Sequence, residues 1–213
     1  MTLKNKLGIS DEIQLAHEEE RMSKLAALRL YRDGTLDKLV PGTFFTLKAI
    51  HVALFGDIYE FAGKIRPANL AKGNFRFTSA LYLDSAIKSI ECMPQGGFDQ
   101  IVEKYVEMNV AHPFREGNGR SGRIWLDHLF RSELHLTVDW SRIGRDDYLL
   151  AMERSPVRDL ETKALLGQAL SDDLHGVELL ARSVDASYSY EGYDAFRVEN
   201  LSRGETGRRD CGI

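Results

Sequence analysis

The chain has 213 residues, 43% of them hydrophobic, and 28 basic side chains face 32 acidic ones for a formal net charge of -4. That length suits one sizeable domain that can bury a full core without covalent staples. The acidic balance offers no cationic excess to neutralise phosphates along a duplex, which argues against a DNA-binding helical protein or any nucleic-acid partner.

No run is long or apolar enough to span a bilayer, so no membrane partner is expected. The start, Met1 to Lys6, lacks an apolar stretch of signal-peptide length. Cys92 and Cys211 lie far apart, and reduced thiols fit them better than a disulfide framework. Together these features predict a soluble cytoplasmic protein.

Helical periodicity dominates the chain. Ser10-Asp11 supply capping oxygens, Met22, Leu25, Ala26 and Leu30 recur on one side, and Gly34 stops the pattern, which predicts a helix over 10–33. Thr43 can cap a second helix, with Phe44, Leu47, Ile50 and Leu54 on one side. The pattern then breaks between Asn69 and Thr78. Gly73-Asn74 suits a two-residue turn and Phe75-Arg76-Phe77 alternates with period two, so a short β-hairpin is expected there. Ser79 can cap a third helix, with Leu83, Ile87 and Ile90 inward and Pro94 beyond its end. Residues 98–111 place Ile101, Val102, Tyr105 and Met108 on one face. Further helices are expected over 119–134, 146–154, 157–170 and 173–190. There is no internal repeat. One domain over 1–201 results, followed by a polar tail, 202–213, expected to be disordered.

Residues 112–123 read His-Pro-Phe-Arg-Glu-Gly-Asn-Gly-Arg-Ser-Gly-Arg. Pro113 disfavours αR geometry at His112, so the preceding helix should end there and turn the imidazole outward. Phe114 should point into the core. Gly117-Asn118-Gly119 permits tight turns and close approach of another group, and a new helix should begin near Asn118. Arg120 and Arg123 share one face of its first turn. Cations there oppose the macrodipole, and the arrangement makes sense if an anion lies between them and the free N–H groups of the helix start. Guanidinium forks add bidentate contacts to phosphate oxygens. Glu116 is a single acid beside this cradle, which suits Mg²⁺, an ion that takes one or two carboxylates plus phosphate oxygens. His112 is the natural general base. Taken singly, each of these residues has an ordinary structural explanation. Their combination at this spacing does not.

Gly117 to Gly122 also matches GxGxxG. A dinucleotide fold would need a preceding strand and an acid about 20 residues downstream. Here a helix precedes the match and Arg142 stands at that interval, so the segment reads as a different phosphate cradle.

The stretch closely resembles the Fic-family signature HPFx(D/E)GNGRxxR, matched by His112, Pro113, Phe114, Glu116, Gly117, Asn118, Gly119, Arg120 and Arg123. The resemblance implies an all-α fold, a Fic-type helical bundle with one short β-hairpin flap. It implies a protein adenylyltransferase that moves AMP from ATP, its substrate, to a hydroxyl of a target protein. His112 would deprotonate that hydroxyl, Glu116 would hold Mg²⁺, and Gly117, Asn118, Gly119, Arg120, Ser121, Gly122 and Arg123 would surround the nucleotide. Asn109, one turn before His112, would face it too, with Lys72 and Gly73 of the flap nearby. The target would dock at the flap, Lys72 to Phe77, by strand addition. Glycine at 119 argues against the family's phosphorylating branch, which has lysine there.

Residues 187–192, Ser-Tyr-Ser-Tyr-Glu-Gly, resemble the family's inhibitory motif (S/T)xxxE(G/N), found on a C-terminal helix in its self-inhibited single-domain class. The resemblance assigns Ser187 and Glu191 to a brake in which Glu191 pairs with Arg123 and takes the place of the γ-phosphate. The class implies a homo-oligomer, dimer or tetramer, and self-modification of tyrosines, for which Tyr188, Tyr190 and Tyr193 are candidates. Two other readings compete. One is a de-AMPylating hydrolase in which Glu191 orients water. The other is a non-catalytic nucleotide-sensing module, against which the retention of both His112 and Glu116 argues.

Overall fold

The computed structural model describes residues 2–73 and 75–201. Asn74, the tail 202–213 and Cys211 lie outside the described residues. The chain starts with α1 (Glu12–Arg32), capped by the Asp11 carboxylate, which accepts from the Gln14 N–H at 2.7 Å. It ends before Gly34, whose φ of 67° no helix continues. Thr43 caps α2 (Phe44–Phe55) through its hydroxyl, which accepts from the Thr46 N–H. The expected hairpin is present as β1 (Ala71–Lys72) and β2 (Phe75–Arg76), antiparallel with Lys72 opposite Phe75.

Ser79 does not cap the next helix. A 3₁₀ turn, Ala80–Tyr82, comes first, and α3 runs from Leu83 to Glu91. The reason is local: the Thr78 N–H is bound to the Val110 carbonyl and the Ala80 N–H to the Asn69 side chain, which ties this segment to the hairpin base. Beyond it lie α4 (Phe98–Ala111) and α5 (Asn118–Leu134), the two helices that flank the motif.

The C-terminal half differs from expectation at its joints. α6 covers Arg145–Arg154, and its last carbonyl accepts from the Val157 and Arg158 N–H groups, so α7 starts only at Leu160 and ends at Ala169. Leu170–Ser171 then pairs as strand β4 with β3 (Thr137–Val138), a ladder the helical periodicity did not reveal. The last helix, α8 (Val177–Ser189), begins four residues later than the sequence suggested.

α5 is the axis of the molecule. Every residue from Arg120 to Phe130 is buried. It packs against α4, α2 and α8, while α1 closes over α2 and α8. The Trp125 indole N–H donates to the Thr43 carbonyl at 3.0 Å, fixing α5 to the start of α2. Among the described residues no helix is long and apolar enough to cross a membrane.

A polar network through the core helps fix where α8 sits. The Lys24 ammonium, 1% exposed, lies 2.9 Å from Glu20 and 2.8 Å from Asp185 of α8, and donates to the Phe196 carbonyl. Glu20 accepts from the Ala195 and Phe196 N–H groups, and Asp185 accepts from that of Val198. The segment after α8 is thereby fastened to α1. Removing one partner of a buried pair leaves an uncompensated charge and costs about 3–5 kcal/mol. Lys24→Ala is expected to lower stability by about that amount in urea unfolding, and a loss typical of a surface change would contradict the account.

Candidate active site

α4 ends where the motif begins. His112 takes φ 48° and ψ 61°, in the left-handed region. A residue before proline favours extended backbone, so this conformation must be held from outside. Arg66 does so. Its Nε donates to the His112 carbonyl at 2.7 Å, its Nη atoms donate to the carbonyls of Ala68, Thr78 and Ala111, and its backbone N–H donates to the Pro113 carbonyl.

The loop after Pro113 is closed by Asn118, whose side-chain amide accepts from the Phe114 N–H and donates to the Phe114 carbonyl, both at 2.8 Å. Gly117 stands at φ 77°, and a Cβ there would lie 2.4 Å from the Phe55 ring, so only glycine fits. His51 supports the same loop from α2. Its Nδ1 accepts from the Gly63 N–H, which leaves Nε2 to donate to the Glu116 carbonyl at 2.8 Å. Phe114 is fully buried and packs on His51 and Phe44, as its alternation suggested.

The charges meet at the first turn of α5. Arg120 is 0% exposed and Arg123 2%. Glu191, just past the end of α8, lies between them: Oε1 accepts from Arg123 Nη2 at 2.8 Å and Oε2 lies 2.8 Å from Arg120 Nε. Arg123 also donates to the Ser187 hydroxyl and carbonyl, each at 2.7 Å. Gly192, at φ 84°, allows the helix to end there. Burial alone would raise the Glu191 carboxyl, but Arg123 and Arg120 outweigh it and hold the group below the usual carboxylate range. A Cβ at Gly119 would sit 2.2 Å from Glu191 Oε1, so the carboxylate rests directly on that glycine. Glu19 of α1 takes the far side of Arg120 at 2.7 Å and accepts from the Tyr193 and Tyr59 hydroxyls.

His112 is held differently. His112 Nδ1 lies 3.2 Å from the Asn109 carbonyl, which can only accept, so the proton sits on Nδ1 and the lone pair on Nε2. The Phe77 ring stacks on the imidazole at 3.7 Å and 18°. Burial lowers the His112 pKa to about 4, with Arg66 and Lys72 acting in the same direction and the Asn109 hydrogen bond against it. Lys72 is exposed on the flap, close enough to influence both His112 and Glu191, and Gly73 beside it is exposed at φ 57°.

Glu116 has a half-exposed side chain that accepts from the Gly117 N–H at 2.9 Å and lies 3.4 Å from Arg120. Its outward face is available to a cation. Among the described residues no cluster of three or more metal-ligating side chains exists. A single carboxylate of this kind suits Mg²⁺ that arrives with phosphate oxygens and keeps several waters.

Several sequence expectations need correction. The Ser121 hydroxyl is buried and donates to the Gly117 carbonyl at 2.8 Å, and Gly122 is buried on the side of α5 that faces Tyr105. The Asn118 side chain is consumed by the loop. Asn109 borders a small cleft between α4 and α5 with Asn118 and Gly122. The tyrosines are poor acceptors in this state: Tyr188 is 1% exposed, the Tyr190 hydroxyl donates to the Trp140 and Ile143 carbonyls, and that of Tyr193 donates to Glu19. Their rings, with Phe55 and Tyr148, instead face the two guanidiniums. Arg66, His51 and Glu19 escaped the sequence reading, because a lone charged or histidine residue on a helix or loop carries no spacing signal.

A model of the Fic/DOC family matches residues 43–130. The protein adenylyltransferase VbhT of Bartonella schoenbuchensis is 32% identical over 154 residues, 67% of this chain but 31% of VbhT, so the chain spans about a third of that relative. The probable protein adenylyltransferase y4lH of Sinorhizobium fredii is 30% identical, with 74% of this chain and 85% of y4lH covered. The N-terminal FIC domain of the VirB-translocated effector Bep8 from Bartonella sp. 1-1C superposes with a TM-score of 0.70 at 21% identity, covering 83% of this chain and 94% of that one.

Two histidines generate a pH dependence. Burial brings His51 as well as His112 to about 4 from an ordinary 6.5. The unfolded chain therefore takes up protons below pH 6.5 that the folded chain refuses, and stability falls as pH drops toward about 4. The urea midpoint should be lower at pH 5 than at pH 7; equal midpoints would refute the neutral assignment.

Proposed function

The chain belongs to the Fic/DOC family, and on that footing we propose that it is a protein adenylyltransferase restrained by its own Glu191. One observation carries the restraint: the Glu191 carboxylate rests on Gly119 at the start of α5 and meets Arg123 and Arg120 at 2.8 Å each. That is the position in which a terminal phosphate would find the same guanidinium and the free N–H groups of a helix start.

In the reaction, the oxygen of a target hydroxyl bonds to the α-phosphorus of ATP. The α–β anhydride bond breaks and pyrophosphate leaves. The hydroxyl proton passes to His112 Nε2, the nitrogen left bare by the Nδ1 contact to Asn109. Arg120 and Arg123 hold the triphosphate in line, so positioning and charge stabilisation account for most of the acceleration. Glu116 would hold Mg²⁺, which when bound offsets charge on the phosphate oxygens. The target backbone would add to the edge of the hairpin between Lys72 and Phe77, next to the base. With Glu191 in place, a terminal phosphate lacks its cationic seat and ATP binds unproductively.

ATP labelled at the α- or the γ-phosphate, incubated with the protein and cell lysate, tests this reading. Label should reach protein from the α-position only; γ-label on protein would point to phosphorylation. Glu191→Gly should raise transfer by about 5–150-fold, the range of a 1–3 kcal/mol coupling between sites, and unchanged transfer removes the restraint from the account. His112→Ala should lower transfer by about 10²–10⁴-fold while ATP binding by calorimetry stays within a few-fold.

A further inference from the structure

The His112 ring has two angles to settle, and its hydrogen bond settles one. The contact from Nδ1 to the Asn109 carbonyl, at 3.2 Å, restrains one edge of the ring. A second aromatic ring lies against its face. Phe77 lies parallel to the imidazole within 18° at a centroid distance of 3.7 Å.

Phe77 is itself anchored on both sides. Its N–H donates to the Leu70 carbonyl, and the next residue, Thr78, bonds through its N–H to Val110 of α4 and through its carbonyl to Arg66. Arg66 also holds the His112 carbonyl. Phe75 of β2 meets the Phe77 ring edge-on at 5.1 Å, so the aromatic contact continues out to the hairpin. We infer that Phe77 is a positioning residue for His112: the flap supplies the ring that fixes the plane of the imidazole and points Nε2 at the incoming hydroxyl.

This inference rests on His112 being the base of AMP transfer. It makes the target-docking hairpin and the base one mechanical unit, joined at Phe77 and Arg66. Seating a target strand on the hairpin then orders the base at the same moment that it presents the hydroxyl. The charged groups facing the imidazole are Arg66, Lys72 of β1 and Glu191 beyond α8. Each of them bears on the ring through its charge. The stacked ring also keeps water from one face of the imidazole, in line with the burial that lowers its affinity for protons.

The test uses the full chain in a Glu191→Gly background, with Phe77→Ala and Phe77→Tyr added singly. Three quantities are read: kcat for AMP transfer, KM for ATP, and the His112 titration by NMR. Phe77→Ala should lower kcat about tenfold or more, as misplacement of a reacting group does, with KM for ATP within about twofold. The His112 midpoint should climb from about 4 toward 6.5. Phe77→Tyr, which keeps the planar ring, should restore both. Parent-like kcat and midpoint in Phe77→Ala would overturn the inference, as would a tyrosine variant no better than alanine. A Glu191→Gly parent that transfers no AMP would defeat the catalytic reading instead, while the NMR titration would still report whether Phe77 governs the environment of His112.

Discussion

Two guanidiniums on one turn at the start of a buried helix create the constraint around which this molecule is organised. Cations at a helix N-terminus oppose the backbone dipole, and burying them without an anion is costly. Arg120 and Arg123 are both nearly inaccessible, so an anion has to come from somewhere. The fold supplies Glu19 from α1 on one side and Glu191 from beyond α8 on the other. The first belongs to the core. The second reaches the same guanidiniums from beyond α8, at the start of α5.

The position of α8 follows from the same constraint and from a second buried ionic group. Lys24 links α1 to Asp185 of α8 and to the segment that follows it. Tyr188 and Tyr190 bury their rings beside the guanidiniums. Glu191 is therefore carried by a helix with several independent attachments, and withdrawing it disturbs packed aromatic surface as well as an ion pair. That buried packing is why the tyrosines expected as acceptors are structural in this state.

The loop after α4 is held from behind by groups that bond to backbone. Arg66 satisfies four carbonyls with its side chain, His51 spans Gly63 and Glu116, and Asn118 closes on Phe114. Each binds backbone, and together they hold a left-handed histidine before a proline. A neutral His51 is required for this, since a protonated Nδ1 could not accept from the Gly63 N–H. The geometry of the site is thus set by backbone hydrogen bonds that converge on a few residues far apart in sequence.

What the chain determined by itself is the local chemistry: helices with strong apolar periodicity, the two-residue hairpin, the end of α4 at His112, the start of α5 at Asn118 and the shared face of Arg120 and Arg123. These follow from steric and periodic rules that act within a few residues. The split at Ser79, the β3–β4 ladder, the late start of α8, the burial of Ser121 and Gly122, and the contacts of Arg66, His51, Glu19 and Phe77 came only with the tertiary structure. They depend on which distant carbonyl, ring or carboxylate arrives at a given place. Burial converts such meetings into large energies, and no spacing along the chain encodes them.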